Sequence, residues 1–136
     1  MSNMLIEKKF ECFKISIEDK IAHIILNRPE KMNSMPPSFW SDLPEIINEI
    51  DQDALARVIV ISSTGKHFSA GMDLSVFSKT NSEQKNQKPK IESGRQKANF
   101  YKDLLRLQET FNCIDNSRLP VLMAVQGGCI GGAVDF

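Results

Sequence analysis

Pro120-Val-Leu-Met-Ala-Val-Gln-Gly-Gly-Cys-Ile-Gly-Gly-Ala-Val-Asp135 is the stretch that opens the reading of this chain. An apolar run delivers the backbone into two glycine pairs, Gly127-Gly128 and Gly131-Gly132. Paired glycines let a backbone N–H approach a ligand with no Cβ in the way. The pattern predicts a strand from Pro120, a turn, and a helix opening after the second pair with Asp135 in its first turn. The amino end of a helix aims free N–H groups and positive partial charge at one point. That is how a protein holds a developing oxyanion. The chain stops at Phe136, as this helix begins, so an incomplete site is the expectation.

Upstream, the pattern alternates between strands and helices. Phe10, Cys12 with Phe13, Ile15 and Ile17 form a roughly alternating run, and Ile21–Leu26 is a second strand beyond the polar break Glu18-Asp19-Lys20. Two strands across a short polar break read as a hairpin. Pro29 ends it, because proline cannot donate to a ladder. Leu43, Ile46, Ile47 and Ile50 recur at helical spacing. Pro44 suits that helix if it starts near Ser41, with the proline in the first turn. Val58–Ile61 reads as a buried strand. Ser78 to Lys97 is polar and lysine-rich, and is expected to be the least ordered internal segment. Phe100, Leu104, Leu107, Phe111 and Ile114 then predict an amphipathic helix over about Ala98 to Asp115.

At 136 residues the chain predicts one domain with a real core. Seventeen basic and seventeen acidic residues balance, so bulk charge predicts no nucleic-acid or anionic-membrane partner. No run is long enough to span a bilayer. Cys12, Cys113 and Cys129 are odd in number and far apart, which fits neither a disulfide framework nor a metal spacing. Free thiols in a reducing compartment, and a cytoplasmic location, are the expectation.

A second suggestive segment is Lys66-His-Phe-Ser-Ala-Gly-Met-Asp-Leu74. It follows the Val58–Ile61 strand and the turn-forming Ser62-Ser63-Thr64-Gly65. Alone it is an ordinary turn. With the glycine turn it offers two backbone donors on two loops, as an enolate site needs. Asn27-Arg-Pro-Glu-Lys-Met-Asn-Ser34, His67-Phe-Ser-Ala-Gly-Met-Asp-Leu74 and Val125-Gln-Gly-Gly-Cys-Ile-Gly-Gly-Ala-Val-Asp135 together resemble, in order and spacing, the three signature blocks of the enoyl-CoA hydratase/isomerase (crotonase) superfamily. The last block most resembles the Δ3,5-Δ2,4-dienoyl-CoA isomerase branch. The resemblance runs from about Phe10 and corresponds to the amino-terminal half or so of such a protein.

The resemblance implies an α/β crotonase-like spiral of ββα units, with residues 1–136 as the amino-terminal part of a single domain that lacks the carboxyl-terminal helices. It implies that Met72 N–H and Gly132 N–H are the oxyanion donors. Ala70, Gly71, Met72, Asp73 and Leu74 would line the acyl-CoA pocket. Asp135 falls where hydratases keep a catalytic glutamate and dienoyl isomerases an aspartate. Ala133 departs from a frequent third glycine. Coenzyme A would enter as part of the thioester substrate, with no permanently bound cofactor and no metal. The full-length form would be a homo-oligomer, a trimer or hexamer. The implied reaction is double-bond isomerisation in (di)enoyl-CoA thioesters, with hydration as the alternative.

Plainer readings stand beside these. Asp135 and Asp73 also suit a helix start and a turn. His23 reads as a packed or edge histidine, His67 as a loop residue and Cys129 as a structural thiol. Met35, Met72 and Met123 suit either an acyl tunnel or core filling. The rival from another class is a truncated, non-catalytic binding or assembly module.

Overall fold

The computed structural model describes residue 5, residues 8–75 and residues 93–136. β1 (Phe13–Glu18) and β2 (Ile21–Leu26) form the expected antiparallel hairpin, with Glu18 opposite Ile21. Asp19 and Lys20 take φ of 49° and 67°. Positive φ at both central residues is what a two-residue turn needs to match the strand twist. Arg57 N–H donates to Lys20 O at 2.7 Å and ties this turn to the start of β3 (Val58–Ser63). β3 runs parallel to β2, and β4 (Val121–Met123) runs parallel to β3, in a four-stranded sheet of order β1-β2-β3-β4.

One face of this sheet makes the core. Ala22, Ile24, Leu26, Ile59 and Ile61 are buried there, in one cluster with Phe39, Leu43, Ile46, Ile47 and Ile50 of α1 (Phe39–Gln52). Fully burying a Leu, Ile or Phe side chain stabilises by about 1.5 to 3 kcal/mol. The other face is more open. Val58 and Val60 are half-buried and Leu122 is 57% exposed, so the expectation of a fully buried Val58–Ile61 strand holds for alternate residues only. A strand loses water from both sides only where both sheet faces are covered.

The first helix corrects the expected placement of Pro44. It begins at Phe39, so the proline lies inside the helix and not in its first turn. Proline has no N–H for the carbonyl four residues back, which is that of Trp40. The hydroxyl of Thr110, on α2 (Ser93–Asp115), donates to that carbonyl at 3.0 Å. This bond staples the helices together. Thr110 and Cys113 are the buried residues of α2, and Phe100, Tyr101, Leu104 and Leu105 are exposed. The apolar stripe expected from Phe100 to Ile114 is therefore buried only toward its carboxyl end. Of the Ser78–Lys97 segment, residues 78–92 lie outside the described residues, and residues 93–97 form the first turn of α2.

Cys12 and Cys113 are buried free thiols, pushed up to about 12 and about 11 chiefly by desolvation. Cys129 is half-buried and its Sγ–H donates to Ala133 O at 3.2 Å.

Candidate active site

Three loops follow the carboxyl ends of the parallel strands β2, β3 and β4, the end where open α/β sheets gather ligands. They are bound to one another by buried polar groups. Asn33 is 2% exposed and takes φ of 51°, a left-handed conformation that asparagine tolerates better than most residues. Its Oδ1 accepts from Arg28 N–H at 2.8 Å, while its Nδ2 donates to Thr64 O at 2.7 Å and His67 O at 3.1 Å. Ser69 is fully buried, donates to Asn33 O at 2.7 Å and accepts from Gly71 N–H at 3.1 Å. Gln126 Nε2 donates to Ser63 O at 2.9 Å, which joins the third loop to the end of β3.

Two glycines of these loops meet back to back. Gly71 is buried at φ of 83°. A Cβ placed on it would lie 2.6 Å from Ile130 O and 3.3 Å from Gly132 N, so only glycine lets these backbones touch. Met35 N–H donates to Gly71 O at 2.8 Å, and Asp73 N–H to Met35 O at 3.0 Å. In such a parallel bridge the N–H of the intervening residue, Met72, points away from Met35. Among the described residues Met72 N–H makes no hydrogen bond. Gly132 is the second residue of a 3-10 turn, Gly131–Asp135, whose first bond is Ala133 N–H to Ile130 O at 3.2 Å. The Gly132 N–H precedes that bond and has no partner among the described residues.

The helix expected here is thus a single five-residue 3-10 turn. So short a segment adds little macrodipole, and what it offers is local, unbonded N–H groups.

The other expected residues are spread around this contact. Ala70 N–H donates to Met32 O at 2.9 Å. Ala70 also lines a small recess with Met32, His67, Ser69, Gly128 and Ile130. Leu74 is 78% exposed. Asp73 is a turn acid. Its Oδ1 accepts from Ser75 N–H at 3.0 Å, and its Oδ2 from Ser34 Oγ at 3.0 Å and Arg28 Nη1 at 3.4 Å. The Ser75 bonds, then Ser34 and Arg28, hold its pKa down at about 2. Asp135, at the end of the 3-10 turn, is exposed, and its carboxylate makes no hydrogen bond or ion pair among the described residues. His23 Nε2 lies 2.7 Å from Ser62 Oγ on the open sheet face.

Residues 16–136 match the enoyl-CoA hydratase/isomerase family. The chain belongs to this family. The human mitochondrial Delta(3,5)-Delta(2,4)-dienoyl-CoA isomerase is 38% identical over 132 residues, which cover 96% of the chain and 39% of that protein. The Arabidopsis thaliana peroxisomal Delta(3,5)-Delta(2,4)-dienoyl-CoA isomerase is 30% identical over 129 residues, or 95% of the chain and 45% of that protein. A crystal structure of an enoyl-CoA hydratase from Shewanella pealeana superposes with a TM-score of 0.77 at 20% identity, covering 98% of the chain and 46% of its own. At that identity the likeness speaks for the fold, which is the α/β crotonase fold. The chain thus spans less than half the length of these family members. Their names also overturn the expectation of a cytoplasmic protein, since one is mitochondrial and the other peroxisomal. An organelle address is a short peptide read by a receptor, and charge balance and free cysteines carry no trace of it.

Asn33, Ser69 and Gln126 were not singled out by the sequence reading, although they join the loops. The available signal for Asn33 was an asparagine in a short loop after Pro29, a residue type suited to left-handed backbone. Ser69 and Gln126 carried no such signal, because their partners come from other loops.

Proposed function

We propose that the Met72 and Gly132 N–H groups bind the carbonyl oxygen of a CoA thioester and stabilise the enolate formed when the adjacent C–H is lost. The observation that carries this reading is the contact of Gly71 with Gly131 and Gly132, beside two amides with no partner among the described residues. In sites of this kind one lost donor costs about 100- to 1000-fold in rate. Ala70 to Leu74 would line the path of the thioester, with coenzyme A entering only as part of the substrate. Asp135 is the carboxylate assigned to proton transfer. The reaction is double-bond isomerisation of a (di)enoyl-CoA, in keeping with the dienoyl-CoA isomerases that resemble the chain. Hydration is the alternative within the family. The full-length form is assigned to a homo-oligomer, a trimer or hexamer.

The reading as a binding module without turnover draws on one observation, the exposed Asp135 carboxylate with no partner among the described residues. An acid not held in place transfers protons slowly, because loose positioning is costly in rate. Little turnover by residues 1–136 alone is therefore expected. The test is the infrared carbonyl band of a 13C-labelled enoyl-CoA thioester mixed with the chain. Two donors should shift the band to lower frequency than in water. An unshifted band at saturating protein rejects the oxyanion assignment. Turnover of 3,5-dienoyl-CoA, abolished in Asp135→Asn, would reject the binding-only alternative.

A further inference from the structure

We propose that His67 is a positioning residue for the glycine turn: its neutral imidazole accepts the Gly128 N–H and thereby holds the loop that leads into Gly132. The functional consequence rests on the oxyanion reading above; the structural coupling does not. Gly128 N–H donates to His67 Nδ1 at 2.9 Å. A ring nitrogen that accepts carries no proton, so the neutral ring has its hydrogen on Nε2. The close approach needs glycine. A Cβ on Gly127 would lie 3.0 Å from Nδ1 and 2.1 Å from Lys66 O, and a Cβ on Gly128 3.2 Å from Nδ1.

This bond is the first rung of a ladder. Phe68 N–H then donates to Gly128 O at 2.9 Å, Ile130 N–H to Ser69 O at 3.1 Å, and Gly71 packs against Gly131 and Gly132. His67 itself is anchored at its carbonyl, which accepts from Asn33 Nδ2 at 3.1 Å and Ser63 Oγ at 3.3 Å. The side chain is thus held by one loop and holds the next.

The rung depends on protonation. A protonated imidazole has two N–H donors and no acceptor, so it would set one N–H against another at Gly128. A neutral His67 ring makes the rung, and a protonated ring cannot. The residues around His67 are Met32, Asn33, Ser63, Gly127, Gly128 and Ile130, which are uncharged. The charges next along the chain are cationic, Lys66 beside His67 and Lys31 beside Met32. Arg28, on the same loop, is engaged by Asp73.

The test is an NMR titration of the 15N-labelled chain through the mildly acidic range where histidine changes charge. The Gly128 amide and the His67 ring nitrogens should move with one midpoint, and the Gly132 amide should follow. In His67→Gln, whose Oε1 can accept, both amides should stay near their alkaline wild-type shifts at every pH. In His67→Leu both should stay displaced. Thioester binding by wild type, read in the same samples, should weaken roughly 3- to 10-fold across the titration, and in His67→Gln it should not. A Gly128 amide that ignores the ring titration overturns the proposal, as does a Gly132 amide unmoved while Gly128 shifts. Absence of thioester binding at any pH would reject the oxyanion reading instead, with the amide coupling still measured.

Discussion

Gly127–Gly128 and Gly131–Gly132 belong to one loop and serve opposite ends. The first pair is closed. Gly128 gives its N–H to His67 and its carbonyl to Phe68, and Gly127 packs on Lys66 O. The second pair is open. Gly131 and Gly132 contact Gly71, and the Gly132 N–H has no partner among the described residues. A free donor can be held still only if its surroundings are satisfied. The closed pair supplies that rigidity, and the open pair carries the chemistry proposed above.

The contrast is most sharply broken at Gly127. A methyl group there would meet Lys66 O at 2.1 Å on a backbone with φ of 59°. Gly127→Ala is expected to cost about 3 kcal/mol or more, read as a lower urea midpoint or as failure to fold. Next comes Asn33→Ala, which removes the buried Asn33 partner of Thr64 O and Arg28 N–H and leaves His67 O only the Ser63 hydroxyl. A loss of about 2 to 4 kcal/mol is expected in the same denaturation assay.

Asp73 sharpens the comparison on the open side, since it fixes the residue after Met72. Its folded pKa of about 2 lies below its unfolded value, so its contribution is present above about pH 4. That contribution is lost as pH falls through about 2. Asp73→Asn should flatten this part of the acid-stability curve while leaving the neutral-pH fold intact by circular dichroism. The smallest effect belongs to Gly132. A Cβ there would meet Met35 Sδ at 3.5 Å and Trp40 Cη2 at 3.7 Å, both ordinary contacts, and its φ lies outside the left-handed region. Gly132→Ala should change stability by no more than about 0.5 kcal/mol. A large loss would show that the open pair is also a packing device.

Much of this was legible in the residues. The roughly alternating run from Phe10 to Ile17 and the apolar run Ile21–Leu26 across a polar break marked the hairpin, and helical spacing from Leu43 to Ile50 marked the first helix, because all are local patterns tied to burial. The glycine blocks marked the two loops that meet. What escaped depends on which loop lands beside which. The sequence does not show that His67 faces Gly128, or that Asn33 reaches two carbonyls of another loop. The Phe100–Ile114 stripe marked a helix correctly and its burial only in part, since periodicity reports amphipathicity and not what covers it. The 3-10 turn at Gly131 differs from the expected helix in hydrogen-bond pattern, which composition does not encode.

The Pro44 and Thr110 pair has a consequence for mutational coupling. With proline at 44, Trp40 O depends on the Thr110 hydroxyl, 70 residues away along the chain. Thr110→Val alone should therefore destabilise by about 1 to 2 kcal/mol. With Pro44→Ala, the backbone N–H returned to position 44 can take over that carbonyl, and the same threonine change should lose most of its effect. The two positions form a thermodynamic cycle that does not close additively: a defect in one helix has become the address at which the other docks.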